Sequence, residues 1–224
     1  MWQQLFADLA DRNFMVVAVA EESRGADHAR TWVEQAKASY WCLVDTEHRV
    51  ADLYGMVNVP QAVWIDEAGR IVRPPETAGS TDHFRRMDMT TRTLAPELAQ
   101  ARQQARTDYL AAVKDWVTTG RHALPPDAVK RALPKLTPEI AEAHARFRLA
   151  VWLQRNGRAA EAAAHFAAAS RLHPDSWSMW RQAADLEAVG KAGGPEFWAR
   201  VQALGDKPYY PPPDLPGFAA PRKN

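Results

Sequence analysis

Apolar positions along this chain follow the period of helices and strands in alternation for about eighty residues, and of helices alone thereafter. The opening "WQQLFADLADRN" sets Trp2, Leu5, Phe6 and Leu9 on one helical face. "FMVVAVA", residues 14–20, predicts a buried strand. "DHARTWVEQAKA" brings Ala29, Trp32, Val33 and Ala36 onto a second helical face, and "YWCLVD" reads as the next strand. "EHRVADLYG" predicts a short helix with Val50, Leu53 and Tyr54 inward, closed by Gly55, which takes the left-handed conformation without a Cβ penalty. Residues 61–65 are a strand around "AVWI", a continuous apolar run that suits burial on both faces, "DEAG" is turn chemistry, and "RIVR" is the antiparallel return. Helix, strand, helix, strand, helix, strand, strand predicts an α/β sheet with right-handed crossovers.

Strand signals stop after "PPETAGSTDHF". Pro96 opens a long helix whose face is Leu98, Ala101, Ala105, Tyr109, Ala112, Val113, Trp116 and Val117, and Gly120 closes it. "HALPPDAVKRALPKLTPE" reads as a connector with one short helical piece, and alanine-rich helices follow. The tail "KPYYPPPDLPGFAAPRKN" favours polyproline II, either lying along the helices or free. The expected organisation is an α/β region at residues 1–90, a helical region at 91–208 and a proline-rich tail at 209–224.

Composition removes several function classes. The formal net charge is +1, with no basic stripe to recommend nucleic acid. No apolar run is long enough to span a bilayer, and no signal peptide opens the chain, so a soluble protein is expected, cytoplasmic as given. The one cysteine, Cys42, builds neither an internal disulfide nor a zinc site, and its apolar neighbours mark it as a small core residue. None of the histidines forms HExxH or a pair four apart, "VGKAGG" lacks the rest of a phosphate loop, and no cofactor is implied. Arg85 and Arg86 read as a solvated helix face.

Residues 1–90 resemble the thioredoxin fold, in particular redoxins of the TlpA and ResA type. The resemblance rests on "LADRNFMVVAVAEE", on "CLVDTEHRVADLYGMVNVPQAVWIDEAGRIV", and above all on Val59-Pro60 before a strand ending "WIDEAGRI". It implies a cis Val59–Pro60 bond, with both residues holding an extended substrate through backbone hydrogen bonds. It also implies a CxxC at the N-terminus of the first helix, where the helix dipole stabilises the attacking thiolate. Here that helix begins at Met1, no catalytic residue of the motif is present, and the strand expected between "VVAVA" and "AVWID" is missing too. The expectation is a thiol–disulfide oxidoreductase that is N-terminally truncated and inactive by itself. Its partner when complete is a protein or small-molecule disulfide, with Cys or selenocysteine encoded upstream and an extracytoplasmic location open if an export signal lies there as well.

The helical part resembles tetratricopeptide repeats, best at residues 143–176. Leu149, Ala150, Leu153, Gly157, Ala162, Phe166, Ala169 and Pro174 match the pattern, and Arg146 is off type. A weaker second copy follows, with Trp180, Ala183, Ala184, Ala203 and Pro208 in register and "GGPEFWARVQAL" as its second helix. The helix around residues 109–117 is expected to cover the open side of the repeats. The alternative function is therefore a non-catalytic scaffold that binds a peptide or a sibling subunit.

Overall fold

The computed structural model describes residues 1–184 and 194–218. An α/β region with short strands comes first and an all-helical region follows. In chain order the elements are α1 (Trp2–Asp8), β1 (Val17–Glu21), α2 (Ala26–Ala36), β2 (Trp41–Asp45), α3 (Arg49–Tyr54), β3 (Gln61–Ile65) and β4 (Ile71–Thr77). Then come α4 (Pro96–Thr119), α5 (Pro126–Ala132), α6 (Pro138–Arg155), α7 (Ala159–Leu172), α8 (Trp177–Ala184) and α9 (Pro195–Gln202). The end of the second repeat's first helix and residues 189–193 of "VGKAGG" lie outside the described residues, as do residues 219–224.

The expected single sheet is two sheets of two strands, β1–β2 and β3–β4. β1 and β2 are parallel, with Val17 opposite Trp41 and Glu21 opposite Asp45, and α2 is their crossover. β3 and β4 are antiparallel, with Gln61 opposite Thr77 and a register irregularity between Ala62 and Trp64. Contacts divide the chain into two compact units. The first takes its described residues from 1–14, 60–132 and 194–218, the second from 15–59 and 133–184.

In the first unit the β3–β4 hairpin is closed by Asp66. Its carboxylate accepts from the Ala68 and Arg70 amides and from Arg70 Nε, while Gly69 turns the chain at φ +75°. Trp64, Ala78, Leu5, Leu9, Tyr109, Ala112, Val113 and Leu215 form one buried cluster. α4 therefore puts Tyr109, Ala112 and Val113 against this cluster, where a cover for the repeats was expected, because Trp64 offers the Tyr109 hydroxyl a donor at 2.9 Å. The described part of the tail is packed in this unit as well: Tyr209 and Leu215 are buried. The Tyr209 and Tyr210 amides donate to the Asp82 carboxylate at 2.7 and 2.6 Å. Arg85, expected to be solvated, donates to the carbonyls of Gly205 and Lys207.

In the second unit α6 and α7 form an antiparallel pair. Thr137 caps α6 by accepting from the Ile140 amide, and Pro138 fills its first turn. Gly157 turns the chain at φ +74°, and the Arg158 amide bonds back to the Leu153 carbonyl at 2.9 Å. Ala143, Phe147, Ala150, Val151, Leu153, Ala162, Phe166, Ala169 and Met179 are the core. Leu149, a position of the repeat pattern, is instead 42% exposed. The other pattern positions of α6, Ala150 and Leu153, are buried as expected, together with Phe147 and Val151.

β1 and β2 share this unit yet supply no residue to that core. β1 was expected to be buried, yet neither strand holds a fully buried residue, and Val17 and Trp41 are more than half exposed. Trp32 of α2 and Leu53 of α3, expected inward, point to solvent. The reason is width: two strands about 5 Å apart are narrower than a helix about 10 Å across, so a helix laid on them keeps part of its apolar face in water. α2 buries only Ala29 and α3 only Ala51.

Candidate functional site

Parallel pairing brings the C-terminal ends of β1 and β2 side by side, the position where α/β proteins commonly build sites. Glu21 ends β1, and Glu22, Ser23, Arg24 and Gly25 lead to α2. Asp45 ends β2; its carboxylate accepts from the Val50 amide at 2.6 Å and the Glu47 amide at 3.3 Å, which opens α3. His48 sits at the start of that helix at φ +55°, a left-handed conformation uncommon for a residue with a Cβ.

From this loop His48 Nε2 reaches Ser23 Oγ at 3.2 Å, and His48 Nδ1 lies 3.6 Å from Glu21 Oε2. All three residues come from the two strand ends. The helices close the cluster: Arg155 of α6 donates to the carbonyls of Ser23 and Thr46, both at 2.9 Å, and Gln182 of α8 accepts from the Ser23 amide and donates to the Glu21 carbonyl. Phe147 packs edge-on to the imidazole, 4.9 Å between centroids.

Burial governs the charges of this cluster. It pushes the Glu21 carboxyl up to about 7, against the nearby Ser178 hydroxyl and with help from the Asp45 charge. It pulls the His48 imidazole down to about 4, against the attraction of Asp45 and Glu22. A second polar group lies in the same unit, where His144 Nδ1 is 3.6 Å from Asp52 Oδ1 and Arg148 pairs with the same carboxylate. His173 lies beside His144, 5.9 Å between ring centroids, and burial lowers both imidazoles.

Serine, histidine and carboxylate in contact have the order of a nucleophile relay. Catalysis also needs a reachable hydroxyl, and Ser23 is 5% exposed with Arg155 and Gln182 on its backbone. The cluster is thus a sealed polar contact between strand ends and helices.

The residues singled out from the sequence are placed elsewhere. Val59 is 40% exposed, and its amide donates to Asn58 Oδ1 at 2.9 Å. The Pro60 carbonyl accepts from the Ala78 amide at 3.1 Å, which begins the β3–β4 ladder. The division between the two units falls between these two residues. Cys42 lies on β2, half-buried where a core position was expected, on the face opposite Trp41 and Leu43. Among the described residues no group of three His, Cys, Asp or Glu is gathered so as to hold a metal ion. No described helix is long and apolar enough to cross a membrane.

Glu21, Ser23 and His48 were not singled out from sequence. "EESRG" and "DTEH" lie apart along the chain with no motif between them, and only the parallel register brings them together. The signal present was the exit of two apolar runs into short polar loops, the pattern that marks strand C-termini in parallel sheets. Comparison with known proteins gives no match to a family model, a curated protein or a solved structure.

Proposed function

We propose that this chain serves thiol–disulfide exchange of the redoxin class and is inactive alone. The observation that carries the reading is the arrangement of strands. β1, α2 and β2 make a parallel crossover, Pro60 leads into the antiparallel β3–β4 hairpin, and each sheet stops at two strands. A thioredoxin-like sheet without the strand expected between "VVAVA" and "AVWID" has these remaining parts in this order.

In the proposed chemistry a thiolate attacks a target disulfide, a mixed disulfide forms with release of one target thiolate, and a neighbouring thiol displaces the second. The chain holds one thiol, which cannot by itself carry out both displacements. Val59 and Pro60 would hold the target, whose backbone would take over the hydrogen bond that the Val59 amide now gives to Asn58. The α6–α7 pair is read as tetratricopeptide-like, supported by the Gly157 turn and by the complete burial of Ala150, Ala162 and Ala169.

A second reading, a non-catalytic protein-binding scaffold, is favoured by the exposed apolar residues of β1 and β2: Val17, Trp41 and Leu43. Two measurements bear on the readings. The chain alone is expected to reduce no disulfide above a buffer blank in a dithiol-coupled assay, with Cys42→Ala unchanged; turnover lost in that variant would overturn the statement that the chain is inactive alone. Sheets that stop at two apolar strands are expected to recruit other chains, so the chain should self-associate; a well-behaved monomer with one cooperative unfolding transition would leave the scaffold.

A further inference from the structure

Glu21 Oε2 and His48 Nδ1 face each other at 3.6 Å, and each lacks a hydrogen-bond partner. Their side chains are 6% and 3% exposed. Ser23 Oγ occupies the other imidazole nitrogen at 3.2 Å, so Nδ1 is directed at the carboxyl. A carboxylate and an unprotonated nitrogen both accept, and two acceptors facing each other away from water are costly unless a hydrogen lies between them.

We propose that Glu21 and His48 form a neutral proton-sharing latch that fastens the C-terminal ends of β1 and β2 in a pH-dependent manner. The Glu21 carboxyl carries the proton and donates it to His48 Nδ1; Nε2–H donates to Ser23 Oγ.

The surroundings favour this form over an ion pair. On the Glu21 side Asp45 of β2 opposes a second anion, and burial together with that charge outweighs the Ser178 hydroxyl of α8, which favours the ionised carboxylate. On the His48 side, Arg155 and His144 of α6 oppose a second cation, while Asp45 and Glu22 favour one. Glu22 is already engaged by the Arg24 guanidinium at 2.7 and 2.6 Å. An unfolded chain near pH 5.5 carries its proton on the histidine and leaves the glutamate ionised. Folding moves that proton to the carboxyl. The latch holds from about pH 4, where His48 would charge, to about pH 7, where Glu21 would ionise beside Asp45.

The two groups act on stability with opposite signs. The raised carboxyl contributes stability that is complete below its unfolded value and is lost as pH rises through about 7. The depressed imidazole contributes stability that is complete above its unfolded value and is lost as pH falls through about 4. In the wild type the two slopes largely offset, so single variants expose them.

The test is amide hydrogen exchange of β1 and β2 in the full chain at pH 6 and pH 8, corrected for intrinsic rates. From pH 6 to pH 8 the protection ratio of Glu21→Gln should improve on the wild type's by about tenfold, because the ionising carboxyl is gone. That of His48→Asn should worsen by about fourfold, because the offsetting imidazole is gone. Profiles of both variants running parallel to the wild type would overturn the latch. A readout that needs no variant is the imidazole nitrogen spectrum of the wild type at pH 5.5, with His48 assigned through its contact to Phe147. A neutral ring protonated at Nε2 supports the latch, and a doubly protonated ring overturns it.

Discussion

The β3–β4 hairpin and the β1–β2 pair have two strands each, and they reach opposite ends in burial. Trp64 on β3 is 4% exposed, donates to the Tyr109 hydroxyl, stacks on Trp116 at 5.1 Å between centroids and lies under the Arg73 guanidinium at 5.3 Å. Trp41 on β2 is 64% exposed, and no residue of β1 or β2 joins the α6–α7 core. An antiparallel pair can keep one face in water and needs cover on the other, which α1 and α4 supply for β3–β4. A parallel pair is stable with both faces covered, and β1–β2 meets helices mainly at its ends, through Arg155, Ser178 and Gln182. Incomplete cover leaves apolar surface open to a partner, and it is β1–β2 in the second unit that has it.

The largest effect expected is at the two tryptophans. Trp64→Ala should cost about 3–5 kcal/mol in chemical denaturation, since it empties a buried ring site and strips the Tyr109 hydroxyl of its donor. Trp41→Ala should stay within about 0.5 kcal/mol. Equal costs would break the comparison, because they would mean that the β1–β2 face is covered in solution.

Next in size is Arg73, whose side chain is 2% exposed. It donates to both Glu76 oxygens and to the carbonyls of His122 and Asp214. Arg73→Met should cost about 3 kcal/mol, because Glu76 and two carbonyls lose a buried charged partner. Protease cleavage around residues 207–218 should rise in parallel, since the Asp214 carbonyl is one of the tail's anchors.

Acid separates the units by sign. Burial lowers the His144 and His173 imidazoles, so their contribution is present above about pH 6.5 and lost as pH falls. Glu21 and His48 nearly offset each other over the same range, which leaves those two histidines to decide. In the first unit, burial raises the Glu76 carboxyl, whose contribution instead grows as pH falls toward its unfolded value. Between pH 7 and pH 5, exchange protection should decline in α6 and hold or increase in α4; the same direction in both would remove the contrast.

The smallest effect sharpens the account of α6. Thr137→Ala removes the side-chain oxygen that accepts from the Ile140 amide and should cost about 1 kcal/mol, read as a shift in the denaturation midpoint.

By itself the sequence determined what its neighbours along the chain enforce. Gly55 ends α3 at φ +67°, with the Met56 amide bonded to the Ala51 carbonyl at 2.8 Å, and Pro96 and Gly120 bound α4. The "DEAG" turn sets the β3–β4 register, and the short piece inside the connector is α5. Each follows from a cap, a turn or a period that acts within a few residues. Tertiary structure alone decided which apolar faces are covered. Trp32 and Leu53 show the same spacing as buried positions yet lie in water, because two parallel strands offer too narrow a surface. It also decided the companions of the polar residues: Arg73 reaches His122 and Asp214, and Glu21, Ser23 and His48 meet only through the parallel register. A polar residue in a loop carries no local mark of being buried, since the group that seals it comes from a segment more than a hundred residues away, as Arg155 does for Ser23.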